Sequence, residues 1–151
     1  MALEDDVRVL SHVGLFEGFA QEQLRLLAFG AETTALPAER KLYREDDEAD
    51  CAYVVVRGRI VLYREADGPS RPVGYAEAGS ILGELALIAD TRRLTSASAA
   101  ADSEVLRLHR KMFRRMLEEY PDLAAQLHER IAADLQALVK RIEALAPRFA
   151  G

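Results

Sequence analysis

Between residues 31 and 108 the chain is a succession of short β-prone runs, each closed by turn-forming residues, and no other feature constrains its fold as much. The runs are "ETTAL", "RKLYR", "AYVVV", "RIVLY", "PVGYA", "TSASAA" and "EVLRL". Branched and aromatic side chains suit a pleated, half-buried surface. Short strands in this number and at this spacing imply a sandwich, a jelly roll or a barrel. "YVVVRGRIVLY" reads as two strands around Gly58, and "EADGPSRP" as a loop built from turn-forming residue types. One interruption stands out. Residues 84–89, "ELALIA", are strong helix formers in the middle of strand country.

Helices flank this β region. Residues 4–11 and 20–29 are predicted as short helices, the second with Leu24, Leu26, Leu27 and Phe29 on one side and Gln21, Glu22 and Arg25 polar. The turn "GLFEGF" between them carries two phenylalanines expected to dock on elements further along the chain. From residue 110, Met112, Phe113, Met116, Leu117 and Tyr120 form one apolar face, opposite Arg110, Lys111, Arg114, Arg115, Glu118 and Glu119. The basic run "RLHRKMFRR" is therefore read as a solvated helix face rather than a phosphate-backbone contact. Pro121 suits the first turn of a new helix, with Asp122 near its positive end, and that helix is predicted to run to about Ala146, where Pro147 stops it. Within it Ile131, Leu135, Leu138, Ile142 and Leu145 alternate by four and three, a short coiled-coil seam. Such a seam predicts a homodimer contact, or else packing on the protein's own β-core.

At 151 residues, half of them hydrophobic, the chain is expected to form one domain, 1–151. Its parts are helices over 1–30, β elements over 31–108 and helices over 110–146. A formal net charge of −5 argues against a free-standing nucleic-acid binder. The single cysteine, Cys51, cannot form an internal disulfide, which favours a reducing compartment. "MALEDDVRVLSHVG" has acids where a signal peptide has basic residues, and no stretch approaches the roughly 18 apolar residues of a membrane span. A soluble cytoplasmic protein is the expectation. His12, His109 and His128 fall in three different elements, and the acidic run "EDDEAD" lacks a fixed ligand spacing, so no metal site is expected. Nothing has the form of a nucleophile elbow or a catalytic dyad, and neither catalysis nor a cofactor is expected.

Three segments in order carry a resemblance. "LFEGFAQEQLRLLA", "KLYREDDEADCAYVVVRGRIVLY" and "AGSILGELALI" followed by "RR" resemble the N-terminal helices, the early strands with their glycine hairpin, and the phosphate-binding cassette of the cyclic-nucleotide-binding domain family. That family includes bacterial catabolite activators, kinase regulatory subunits and gated channels. The resemblance implies a mainly β, jelly-roll-like β-roll with an inserted cassette helix over 84–89 and flanking α-helices. It implies a cyclic nucleotide held by the cassette, residues 83–96: Gly83, Glu84, Leu85 and Ala86, with Arg93, Leu94 and Thr95. Glu84 would accept from the ribose 2′-hydroxyl, Arg93 would fork onto the phosphate, and backbone N–H groups of about Glu84 to Ala86 would complete the anion site. The purine would rest near the last helix, a lid whose movement passes the signal to an effector protein.

Three positions depart from the family pattern. Arg92 stands where proline is usual and could compete for the phosphate. Leu94 stands where alanine, serine or threonine is usual; a hydroxyl there helps bind guanine, so its absence favours cyclic AMP over cyclic GMP. Asp46 stands where a turn glycine is usual, and aspartate tolerates the left-handed conformation well. Two other readings stand beside the sensor: a degenerate member that binds no nucleotide and serves as a dimerisation module, or a fragment of a transcription regulator, which the charge disfavours. The resemblance implies a stand-alone sensor if Gly151 ends the whole protein.

Overall fold

The computed structural model describes residues 2–65 and 71–145. The middle of the "EADGPSRP" loop, Ala146, Pro147 and the side chain of Leu145 lie outside the described residues. Each predicted run is a strand: β1 (Glu32–Leu36), β2 (Lys41–Tyr43), β4 (Cys51–Arg57), β5 (Arg59–Arg64), β6 (Arg71–Glu77), β9 (Ser96–Ala99) and β10 (Ser103–His109). Three two-residue strands escape a sequence reading, β3 (Glu48–Ala49), β7 (Ile81–Leu82) and β8 (Thr91–Arg92). They form two antiparallel sheets, ordered β1-β10-β4-β7 and β2-β9-β5-β6, with β3 paired to β8 at one end. This is a β-roll with helices at both ends of the chain.

The central strands are buried on both faces, which is why β4 reads as an unbroken apolar run. Ala52 and Val54 of β4 and Leu106 and Leu108 of β10 face a cluster shared with the helices. Val55 and Val105 face the roll interior with Leu36, Ile60, Leu62, Val73 and Ala97. Gly58 turns β4 into β5 at φ +93°, and a Cβ there would lie 2.2 Å from Ser103 Oγ, so the hairpin admits only glycine without rearrangement.

The helices are α1 (Ala2–Ser11), α2 (Gln21–Gly30), α3 (Arg110–Glu119) and α4 (Pro121–Leu145). Phe16 and Phe19 are buried, their rings 5.2 Å apart, and Phe16 also meets Phe113 at 6.2 Å. On α2 the expected apolar side is corrected. Leu24, Leu27 and Ala28 are buried, whereas Leu26 is 42% and Phe29 83% exposed. At 100° per residue Leu26 and Phe29 lie on the opposite side from Leu24 and Ala28, so their apolar character does not place them inward. Along the α4 seam, Ile131 is fully buried in the helical cluster, and Leu138 and Ile142 pack partly on the roll.

Candidate ligand pocket

The cassette differs in form from the predicted helix over 84–89. Glu84–Leu87 make one 3₁₀ turn, entered through Gly83 in the left-handed region at φ +70°, and the Ala86 N–H is taken up by the Gly83 carbonyl at 3.1 Å. Ala86 and Leu87 are buried and seat the turn. Behind it Arg110, predicted to be solvated, instead clamps the cassette's far end. Its guanidinium donates to the Ala89 carbonyl at 2.7 Å and pairs with Asp90 at 2.9 Å. The first residue of α3 thus fixes the cassette to the roll. The rest of the basic face, Lys111, Arg114 and Arg115, is exposed.

Arg93 lies inside, only 7% exposed. Its backbone is pinned to the β2–β3 turn: its N–H donates to the Asp47 carbonyl and its carbonyl accepts from the Asp46 N–H, both at 2.8 Å. Asp46 makes that turn at φ +73°, the conformation expected of it. The Arg93 guanidinium rests over Tyr43 at 4.4 Å and Tyr53 at 5.6 Å, and its Nη2 donates to Cys51 Sγ at 3.3 Å. Its Nη1 is buried with no partner. Gly83 is what makes room for that atom, because a Cβ on residue 83 would lie 2.2 Å from it. Burial pushes the Tyr43 and Tyr53 hydroxyls up to about 12, so both rings stay neutral beneath the cation. Arg92 points elsewhere. It is exposed, its Nη1 donates to the Asp46 carbonyl at 2.9 Å, and its Nη2 lies 3.9 Å from Glu48.

These residues open onto a cavity of about 770 Å³. The cassette and Arg93 form one wall, with Thr95 buried beside them and Leu94, 38% exposed, near the rim. The opposite wall is α4, through Arg130, Asp134, Leu135, Leu138 and Arg141. The first half of that helix is fixed by buried Leu123, Leu127 and Ile131, and by Arg130, which donates to the carbonyls of Leu15 at 3.0 Å and Glu17 at 2.6 Å. The second half lies over the cavity, with Arg141 seated against Gly74 of β6, where a Cβ would come within 2.9 Å of its Nη1. Glu84 faces this helix. Burial, then the Asp134 carboxylate, push its carboxyl up to about 7, against the pull of its own backbone N–H and Arg141. Asp134 is itself raised by burial.

Cys51, Tyr43, Asp134 and Arg141 were not foreseen. Their roles depend on which strand and helix faces meet, and no local motif reports that. A buried guanidinium whose Nη1 has no partner thus lies beside a glycine-entered turn, under a helix. The sequence profile of the cyclic nucleotide-binding domain matches residues 33–120.

The chain belongs to the cyclic nucleotide-binding domain family.

Its solved relatives include a cyclic nucleotide-binding-like protein from Brucella abortus, 54% identical, with a TM-score of 0.69 over 76% of this chain and 98% of that one. The regulatory domain of Toxoplasma gondii PKA, solved with cAMP, is 25% identical, with a TM-score of 0.71 over 76% of this chain and 44% of that one. Among curated proteins, the lysophospholipase nte1 of Aspergillus terreus is 30% identical over 114 residues, 75% of this chain but 8% of that protein. The chain thus spans a small fraction of the length of the curated relatives it matches. Among the described residues no helix is long and apolar enough to cross a membrane, and no group of His, Cys, Asp and Glu could hold a metal ion.

Proposed function

We propose that the cavity binds a 3′,5′-cyclic nucleotide, cyclic AMP in preference to cyclic GMP, and that the domain is a sensor whose output is a displacement of α4. One observation carries the reading: Arg93 Nη1 is buried, without a partner, and beside the cavity. A charged donor in that state favours an anion that brings its own acceptor oxygens. The cyclic phosphate supplies them, with the cassette backbone beside it. Glu84 accepts from the ribose 2′-hydroxyl, and the purine lies against Leu135 and Leu138 of α4. Leu94 offers no hydroxyl to a guanine, which supports the preference. The relative solved with cAMP gives the ligand class independent support. Ligand contact with both the cassette and the second half of α4 gives the two positions of that half different affinities, which is what a population shift requires.

Titration calorimetry with cyclic AMP and cyclic GMP tests this on wild type and Arg93→Ala. Wild type is expected to bind cyclic AMP more tightly, and the variant to lose roughly 10- to 100-fold, the effect of one charge-assisted hydrogen-bond pair. No heat from wild type with either nucleotide at millimolar concentration would overturn the proposal and leave a domain that has lost its ligand.

A further inference from the structure

Arg93 is a buried guanidinium with no carboxylate beside it. It takes no part in the ion pairs that Arg8, Lys41, Arg64, Arg92, Arg107, His109 and Arg110 make. A buried cation is ordinarily paired, because an isolated one carries a large desolvation cost. Two aromatic faces and a sulfur surround this one instead. The aromatic faces stabilise positive charge without fixing how the guanidinium fork is turned in its plane. The sulfur does fix it. Cys51 is 1% exposed, at the start of β4, and its Sγ accepts from Arg93 Nη2 at 3.3 Å and from Arg107 Nε at 3.4 Å. Arg107, on β10, is itself held by Asp50 at 3.6 Å. The sulfur is therefore fixed between two guanidinium groups. With Nη2 engaged there, Nη1 is left beside Gly83 without a partner.

We infer that Cys51 is the positioning residue of the anion site: its sulfur sets the rotation of the Arg93 guanidinium so that Nη1 meets the ligand phosphate, while leaving the cation without a carboxylate partner. A carboxylate in that place would hold the guanidinium equally well and compete with the phosphate for it. Sulfur is a weak acceptor, able to orient the group and unable to displace an anionic ligand. This inference rests on the proposed nucleotide site.

The test measures cyclic AMP affinity and thermal midpoint for wild type and three variants. Cys51→Ala and Cys51→Val remove the acceptor, Val keeping more of the packing volume, and Cys51→Ser keeps an acceptor of similar size. The expected result is a loss of about tenfold in Ala and Val, with Ser within about threefold of wild type. Where the Ala variant melts well below wild type, the Val variant decides. Affinity unchanged in Ala or Val would overturn the inference, and so would a Ser variant that falls as far as they do, because a packing role predicts no rescue by an acceptor. Wild type silent toward cyclic AMP removes the nucleotide reading itself, and this inference with it. Wild type that binds alongside an unaffected Ala variant removes this inference alone.

Discussion

Glu84 shows how one side chain in this pocket answers to two elements. Its own turn buries it, and α4 sets Asp134 opposite, with Arg141 and the Tyr43 ring system nearby. Its folded-state pKa of about 7 lies above the ordinary 4.5. The folded chain therefore keeps a proton that the unfolded chain gives up. That contribution to stability is fully present below about pH 4.5 and is lost as pH rises through 7. Urea unfolding of the ligand-free protein across this range is expected to show wild type losing about 1–3 kcal/mol relative to Glu84→Gln. Parallel pH profiles for the two would refute the assignment. The residue scale is also where sequence reading reaches furthest and stops most abruptly. Gly83, Glu84 and Arg93 could be singled out because they stand close together in a recognisable order. Cys51 stands 42 positions from Arg93, and only the β4 register brings its sulfur to that guanidinium.

Among the elements, the strands were legible and the faces of the helices only partly so. Short runs of branched residues ending in glycine, aspartate or proline leave few alternatives to strands. The two-residue strands carry no such signal, since backbone pairing alone defines them. On α2, Leu26 and Phe29 are apolar but point outward, so composition outvoted angle. At residues 84–89 helix propensity was read correctly as helical but too long, because the turn ends at Leu87 and Ile88 leaves helical geometry at φ −120°. On α4 the four-three spacing fits an inward face as well as an intermolecular one, and burial of Ile131 favours the former. The Arg130 contacts make a separate prediction for this helix. Arg130→Ala leaves the Leu15 and Glu17 carbonyls without that donor and is expected to cost about 1–3 kcal/mol. Hydrogen exchange should quicken along α4 while β4 and β10 keep their protection. Uniform acceleration in all three would contradict an independent role for the latch.

For the whole molecule, assembly is tied to what α4 covers. Ile131 lies in the helical cluster, and Leu138 and Ile142 lie against the roll, so light scattering is expected to give the mass of one chain at micromolar concentration. A dimeric mass without ligand would mean that another surface joins the copies, and exposed Leu26 and Phe29 would be the first place to look. The same helix carries a mechanical consequence. Arg130 and Ile131 fasten one end of a rod, and the stretch from there to Leu145 is about 21 Å at 1.5 Å per residue. A rotation of about 10° at the fulcrum, too small to disturb the buried first half, would carry the far tip through roughly 4 Å, given that arm length. A displacement of about an ångström where the proposed purine meets Leu135, close to the fulcrum, would therefore be magnified several times at the tip. Under the proposed sensor function, short travel in the cavity becomes long travel at the end of α4.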